Sequence, residues 1–130
     1  MIPLKNSYTE EHKNVIIESQ LRYLMEKEKI KGKLIYPPPK MDFSYYPFDI
    51  EHARGGKHPH DVTENDARNF IKDAYFVIEK AELGALNFFG KNGAAYVQTN
   101  RKKIRTAFTN EEYAMPYLKL IEVCENEKKT

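Results

Sequence analysis

Residues 85–99 read ALNFFGKNGAAYVQT, and this stretch decides the fold. Two apolar runs, Ala85–Gly90 and Ala94–Thr99, flank the pair Asn92-Gly93. An Asn-Gly pair between such runs is the strongest short signal for a β-hairpin, because a type I′ turn needs positive φ at both central positions. The stretch therefore predicts two antiparallel strands joined by a tight turn of that type.

A third strand is predicted after this hairpin. Asn100-Arg101 marks a second turn, and in Lys103–Thr109 the side chains at Ile104, Thr106 and Phe108 alternate with their neighbours at the period of a strand. The three strands together predict a β-meander.

Three helices are predicted around this meander. Ser7 and Thr9 are N-cap candidates for an amphipathic helix over residues 9–31, which would end at Gly32 as C-cap. Thr63, with Asp66 three residues on, predicts a capping box for a second helix that runs to about residue 80. Asn110 is expected to cap a last helix that extends through Val123, with Pro116 limiting its first turn.

The chain between the first two helices is rich in proline and aromatic residues. Leu34–Tyr36 is a candidate short strand, and Pro37–Pro39 stops it. Residues 41–50 are expected to form an edge strand, since Pro47 excludes a central one. The predicted class is α+β, with helices packed on one face of a small antiparallel sheet. The predicted segments are a helix at 1–33, a connector or edge strand at 34–47 and a main domain at 48–130.

The composition suits one packed domain. The chain has 130 residues, of which 41% are hydrophobic, and its net charge of +2 is too balanced to indicate a nucleic-acid partner by itself. A single cysteine, Cys124, excludes an internal disulfide and a thiolate zinc site. There is no apolar run long enough for a bilayer and no signal-peptide block, which predicts a cytoplasmic protein with no membrane contact.

The segment from His52 to Asp61 carries the strongest chemical signal. It contains three histidines and two basic side chains on a Gly- and Pro-containing loop: His52, Arg54, Lys57, His58 and His60. Imidazole moves protons near neutral pH, and an attacking RNA 2′-hydroxyl needs a base, an acid and cations. Metal binding by these histidines with Asp61 is a second interpretation, and surface histidines with no task are a third.

Two further groups are candidates for the same site. Arg105 and Thr106 lie on the last strand, where adjacent side chains point to opposite faces and reach one site only at a strand end or through a bulge. Tyr96 is a candidate for stacking on a base, although an aromatic residue in a strand is usually part of the core. Basic residues also cluster late in the chain against an acidic background, at Lys91, Arg101, Lys102, Lys103 and Arg105.

From about residue 48 onward the sequence resembles the barnase–EndoU–colicin–RelE-like nucleases of phages and bacterial toxin systems. The resemblance rests on Phe48–His52, Lys57–Thr63, the helical pattern at 67–78, Gly93–Val97 and Ile104–Phe108. It covers about two-thirds of the chain. The order of a histidine loop, a helix, a meander and a final strand with a Thr-Ala-aromatic signature is similar to that of the family.

The resemblance implies cleavage of RNA, often tRNA, to a 2′,3′-cyclic phosphate without metal or other cofactor. It implies proton transfer by His58 or His52, charge stabilisation by Arg105 and phosphate orientation by Thr106. Phe108 departs from the family, where a tyrosine hydroxyl often stands. RNA contacts are expected at Arg54, Lys57, His60 and Tyr96.

Residues 1–45 have no counterpart in the resemblance, and residues 1–33 are expected to bind an immunity protein or a phage protein. Two other functions stay open. One is a non-enzymatic inhibitor or adaptor that keeps the nuclease fold, and the other is a metal-dependent hydrolase that uses the histidine segment.

Overall fold

The computed structural model of the protein describes residues 9–51 and 61–128. In that part, the chain forms a five-stranded antiparallel sheet whose strands follow the order of the sequence. The helices and strands, in chain order, are α1 (Glu10–Lys27), β1 (Lys33–Ile35), α2 (Glu64–Lys72), β2 (Ala74–Lys80), β3 (Ala85–Gly90), β4 (Gly93–Gln98), β5 (Lys103–Thr109) and α3 (Met115–Lys128). The coarse α+β class is therefore confirmed.

The β3–β4 hairpin forms where the sequence predicts it, but its turn is different. Phe89 faces Ala94, and only Lys91 and Asn92 connect the two strands. Neither Asn92 nor Gly93 has a positive φ, so the predicted type I′ turn is wrong. Gly93 is required for space instead, because a Cβ there would lie 2.5 Å from ring carbons of Phe70.

The second helix is half as long as predicted. The capping box of Thr63 and Asp66 is present, but α2 ends at Lys72, and residues 74–80 form the strand β2. Phe76, Val77 and Ile78 are all fully buried, because β2 lies between β1 and β3 and both faces of the sheet are covered. A short continuous apolar run of this kind does not distinguish a helix from a buried strand.

Helices cover both faces of the sheet, which corrects the prediction of one covered face. Consecutive strand residues point to opposite faces. Phe76 and Ile78 belong to a buried cluster with side chains of α1 and α3, whereas Val77 belongs to a second cluster with Ala67 of α2. We call the two sides the α1/α3 face and the α2 face.

Helix α1 is capped by Thr9, whose side chain accepts a hydrogen bond from the amide of His12. It ends at Lys27 rather than near residue 31, so Gly32 lies too far along the chain to be its C-cap. The residue in the left-handed conformation just after the helix is Lys29, although Gly32 also has a positive φ. Leu21 is fully buried in the same cluster as the sheet residue Phe89. The described part of the 1–33 segment is thus packed into the common core.

The connector forms almost no regular structure. The predicted edge strand at 41–50 is reduced to one parallel bridge, between Phe48 and Ile104. The guanidinium of Arg68 on α2 donates to the carbonyls of Phe43 and Tyr46 at 2.9 Å each, which fixes this segment on the α2 face. Near the C-terminus, Asn110 begins a short 3-10 turn instead of capping the last helix, which starts at Met115.

Candidate functional site

The histidine segment falls largely outside the described residues. His52, Arg54, Lys57, His58 and His60 all lie in the undescribed range 52–60. The prediction that its histidines converge with Thr106 and Arg105 therefore stays a prediction. The chain on either side of the segment is described, and it shows where the segment begins and ends.

The chain that leads into the histidine segment is bound to the outer edge of β5. The amide of Asp49 donates to the carbonyl of Ile104 at 2.9 Å, and the amide of Ile104 donates to the carbonyl of Pro47 at 2.9 Å. The Lys103 ammonium donates to the Asp49 carboxylate at 2.8 Å, and both side chains keep about a quarter of their surface in solvent. The segment thus starts beside the strand that carries Arg105 and Thr106.

The chain that follows the segment is anchored in the same neighbourhood. Val62 is 1% exposed and belongs to the buried cluster that contains Val97 and Ile104. Thr63 then caps α2. Both flanks of the histidine segment are therefore attached to the part of the core around Ile104.

A β-bulge lies at Arg105. Thr106 faces Tyr96 and Ile104 faces Val97, so Arg105 has no opposing residue on β4. A bulge bends the strand and redirects side chains around the extra residue. Arg105 and Thr106 can reach one site only at a strand end or through a bulge, and this bulge satisfies that requirement. Arg105 is exposed, whereas Thr106 keeps 8% of its surface in solvent.

Thr106 belongs to a line of polar residues that crosses the α1/α3 face. Asn87 on β3 faces Tyr96 on β4, and Tyr96 faces Thr106 on β5. The ring of Tyr96 contacts those of Phe89 and Phe108 edge-on, with centroids 5.9 and 5.3 Å apart. Burial, and then the neighbouring Tyr117, raises the pKa of Tyr96. These ring contacts account for an aromatic residue at position 96 without any RNA contact, and the predicted RNA contact stays a prediction.

Sequence reasoning missed two members of this polar group. Asn87 and Gln98 are 6% and 7% exposed, and within the described ranges their side-chain oxygens have no hydrogen-bond partner. Buried polar atoms are usually paired, so each such atom needs an explanation. The signal in the sequence is an amide in the middle of the apolar run of β3, and another at the end of β4.

Residues 9–51 and 61–128 contain no group of three or more His, Cys, Asp or Glu side chains placed to hold a metal ion. The same ranges contain no helix of the length and apolarity that crossing a bilayer requires. Comparison of the chain with protein-family models, curated proteins and solved structures found no match. The nuclease resemblance thus rests on the motifs quoted above.

Proposed function

We propose that this protein is a metal-independent endoribonuclease whose site lies at the outer edge of β5. One observation supports the proposal: the bridge between Phe48 and Ile104 fixes the chain that leads into the histidine segment beside the strand that carries Arg105. The segment supplies groups for proton transfer, and the strand supplies a cation and a hydroxyl. A rigid strand is a suitable support for such groups.

The reaction requires a base, an acid, a stabilising cation and a group that orients the phosphate, and these residues offer all four. One histidine, His58 or His52, takes the proton of the RNA 2′-hydroxyl as that oxygen attacks the adjacent phosphorus. A second histidine gives a proton to the departing 5′-oxygen, which leaves a 2′,3′-cyclic phosphate. Arg105 stabilises the charge on the phosphorane, and Thr106 orients the phosphate. Arg54, Lys57 and His60 contact the RNA backbone.

The test is incubation of the purified protein with total tRNA, with and without EDTA. We expect cleavage that EDTA does not change, with cyclic phosphate ends. His58→Ala or His52→Ala is expected to lower the rate by about 10²–10⁴-fold, and Arg105→Ala by about 10²–10³-fold. The matched controls are His12→Ala and Arg22→Ala on α1, which are expected to cleave like the wild type.

Two results would contradict the proposal. Cleavage that EDTA abolishes would support the metal-dependent hydrolase. No cleavage of any RNA, by a protein shown to be folded, would support the non-enzymatic interaction module.

The interaction module is favoured by one specific observation. Val15 and Tyr23 on α1 are 63% and 62% exposed. They line an apolar groove of about 350 Å³ that also includes Leu24 and Val123. This is the part of the chain expected to bind an immunity or phage protein. Val15→Asp with Tyr23→Asp is expected to abolish such binding.

A further inference from the structure

We propose that one end of the sheet, rich in lysine and arginine, binds the phosphate backbone of single-stranded RNA and leads it to the β5 edge. We call this surface the basic end and define it by Lys29, Lys31, Lys33, Arg101 and Lys102. The inference deepens the proposed function and rests on it for the identity of the ligand. The RNA contacts expected from the sequence lie elsewhere, in the histidine segment and at Tyr96.

The basic end is one continuous surface. The Lys80 ammonium at the end of β2 donates to the carbonyl of Lys31, which precedes β1. Further along, the carbonyl of Gly84 accepts hydrogen bonds from the amide of Thr99 at 2.9 Å and from its hydroxyl at 3.1 Å. Arg101 and Lys102 follow in the β4–β5 turn. Five strands at about 4.8 Å spacing make this end about 19 Å wide, a width that several phosphates of one RNA strand can span.

The five cations of the basic end are available for a ligand. All are exposed, and in the described part of the chain none forms an ion pair. Some cations elsewhere are engaged, as in the pairs Arg22–Glu18 and Arg68–Glu64. Carboxylates near this end include Glu79 and Glu82, and also Asp49, which pairs with Lys103, so the five cations of the basic end are in excess. Although the net charge of the whole chain is small, positive charge is concentrated at this one surface.

A second, independent observation concerns the backbone of two of these lysines. Lys29 and Lys102 have φ of 57° and 52°, and they are the non-glycine residues with positive φ in the described ranges. A side chain with a Cβ is strained in this conformation, and glycine or asparagine is the ordinary choice there. Both strained positions lie on the basic end and both carry a cation. Lys29 is the left-handed residue that follows α1, where glycine or asparagine is usual, and Lys102 lies in the β4–β5 turn.

The basic end leads directly to the proposed site. Lys102 is followed by Lys103, which pairs with Asp49, then by Ile104 and Arg105. An RNA strand held across the basic end therefore continues toward the β5 edge, where residues 47–49 are hydrogen-bonded to Ile104.

The test measures binding of a fluorescein-labelled 16-nucleotide RNA carrying 2′-O-methyl groups, which lacks the attacking hydroxyl and is not cleaved. Fluorescence anisotropy is recorded at several salt concentrations. Lys29→Gly with Lys102→Gly is expected to weaken binding by about tenfold and to reduce the salt slope by about 1.4, since each single-strand phosphate contact contributes about 0.7. Its melting temperature is expected to equal or exceed that of the wild type, because glycine relieves the left-handed strain.

A second pair removes charge without changing the backbone. Lys31→Gln with Arg101→Gln is expected to weaken binding in the same way. The matched control is Lys40→Gln with Lys72→Gln, which removes two exposed charges away from the basic end and is expected to bind RNA like the wild type.

The outcomes separate this inference from the proposed function. If the basic-end variants bind the RNA with wild-type affinity and slope while the wild type cleaves tRNA, the inference is overturned and the nuclease stands. Wild-type binding that the variants lose, with no cleavage of tRNA, supports the inference and overturns the nuclease. If the wild type binds phosphatidylglycerol vesicles through these residues and does not bind RNA, the inference is overturned in favour of a membrane surface.

Discussion

The two faces of the sheet use the same strands but bury different chemistry. The α2 face is closed by apolar side chains, among them Val77, Phe88, Ala95, Val97 and Ile104. On the α1/α3 face, Asn87, Gln98 and Thr106 are buried together with a group of aromatic rings. Burial of apolar surface is sufficient to hold the α2 face together. Buried polar groups cost free energy unless they are paired, so folding alone does not explain those on the α1/α3 face.

The largest difference between the faces is expected at two neighbouring phenylalanines. Phe89 contacts four rings on the α1/α3 face, those of Phe76, Tyr96, Tyr113 and Tyr117. Phe89→Ala is expected to lower the free energy of unfolding by about 3–5 kcal/mol. Phe88→Ala on the α2 face, where Phe43 is the ring partner, should cost at least about 1 kcal/mol less. Urea unfolding measures both, and equal losses would contradict this account of the aromatic cluster.

The second prediction concerns the helix that covers the α1/α3 face. Leu21→Ala is expected to lower the free energy of unfolding by about 2–5 kcal/mol, because Leu21 is fully buried. Val15→Ala, at a residue 63% exposed, is the control and should change it by less than about 0.5 kcal/mol. Deletion of residues 1–33 also removes the start of β1, so we expect loss of cooperative unfolding. A truncated protein that still melts cooperatively would contradict this and show that residues 34–130 fold without the N-terminal segment.

Alkaline pH should lower the free energy of unfolding through a tyrosine of the α1/α3 face. Burial, then charges at Cys124 and Glu10, raise the pKa of Tyr36 to about 12 from 10.0. A tyrosine whose pKa is higher in the folded than in the unfolded state stabilises the protein at pH values below the unfolded pKa. This contribution is lost as the pH rises from about 10 to about 12. Tyr36→Phe should reduce the loss by on the order of 1 kcal/mol. Urea midpoints at pH 8, 10 and 11 test this, and identical pH dependence in both proteins would contradict it.

The smallest expected effect on stability concerns Asn87, a buried polar residue of the α1/α3 face. Asn87→Leu should leave the free energy of unfolding unchanged or raise it by about 1 kcal/mol, because an apolar side chain of similar size replaces an amide whose oxygen has no described partner. Thr106→Val is the companion variant on β5. A loss above about 1 kcal/mol in Asn87→Leu would show that the amide is hydrogen-bonded in solution and contributes to the fold.

The candidate site was partly accessible from the sequence. The sequence predicted Arg105 and Thr106 as site residues, which can act together only at a strand end or through a bulge. The bulge itself follows from the pairing of β4 with β5, which no local signal encodes. Asn87 and Gln98 were missed because an isolated amide in an apolar run carries no periodic signal.

Local chemistry alone determined several features. The caps at Thr9 and Thr63 and the strands β3, β4 and β5 follow from side-chain hydrogen bonding and alternation within a few residues. Tertiary structure decided the state of residues 74–80. Their apolar run fits a helix and a strand equally well, and the strand prevails because β1 and β3 pair with it while helices bury both of its faces. It also decided that both faces are covered, because burial depends on residues distant in sequence, whereas capping and turns depend on neighbours.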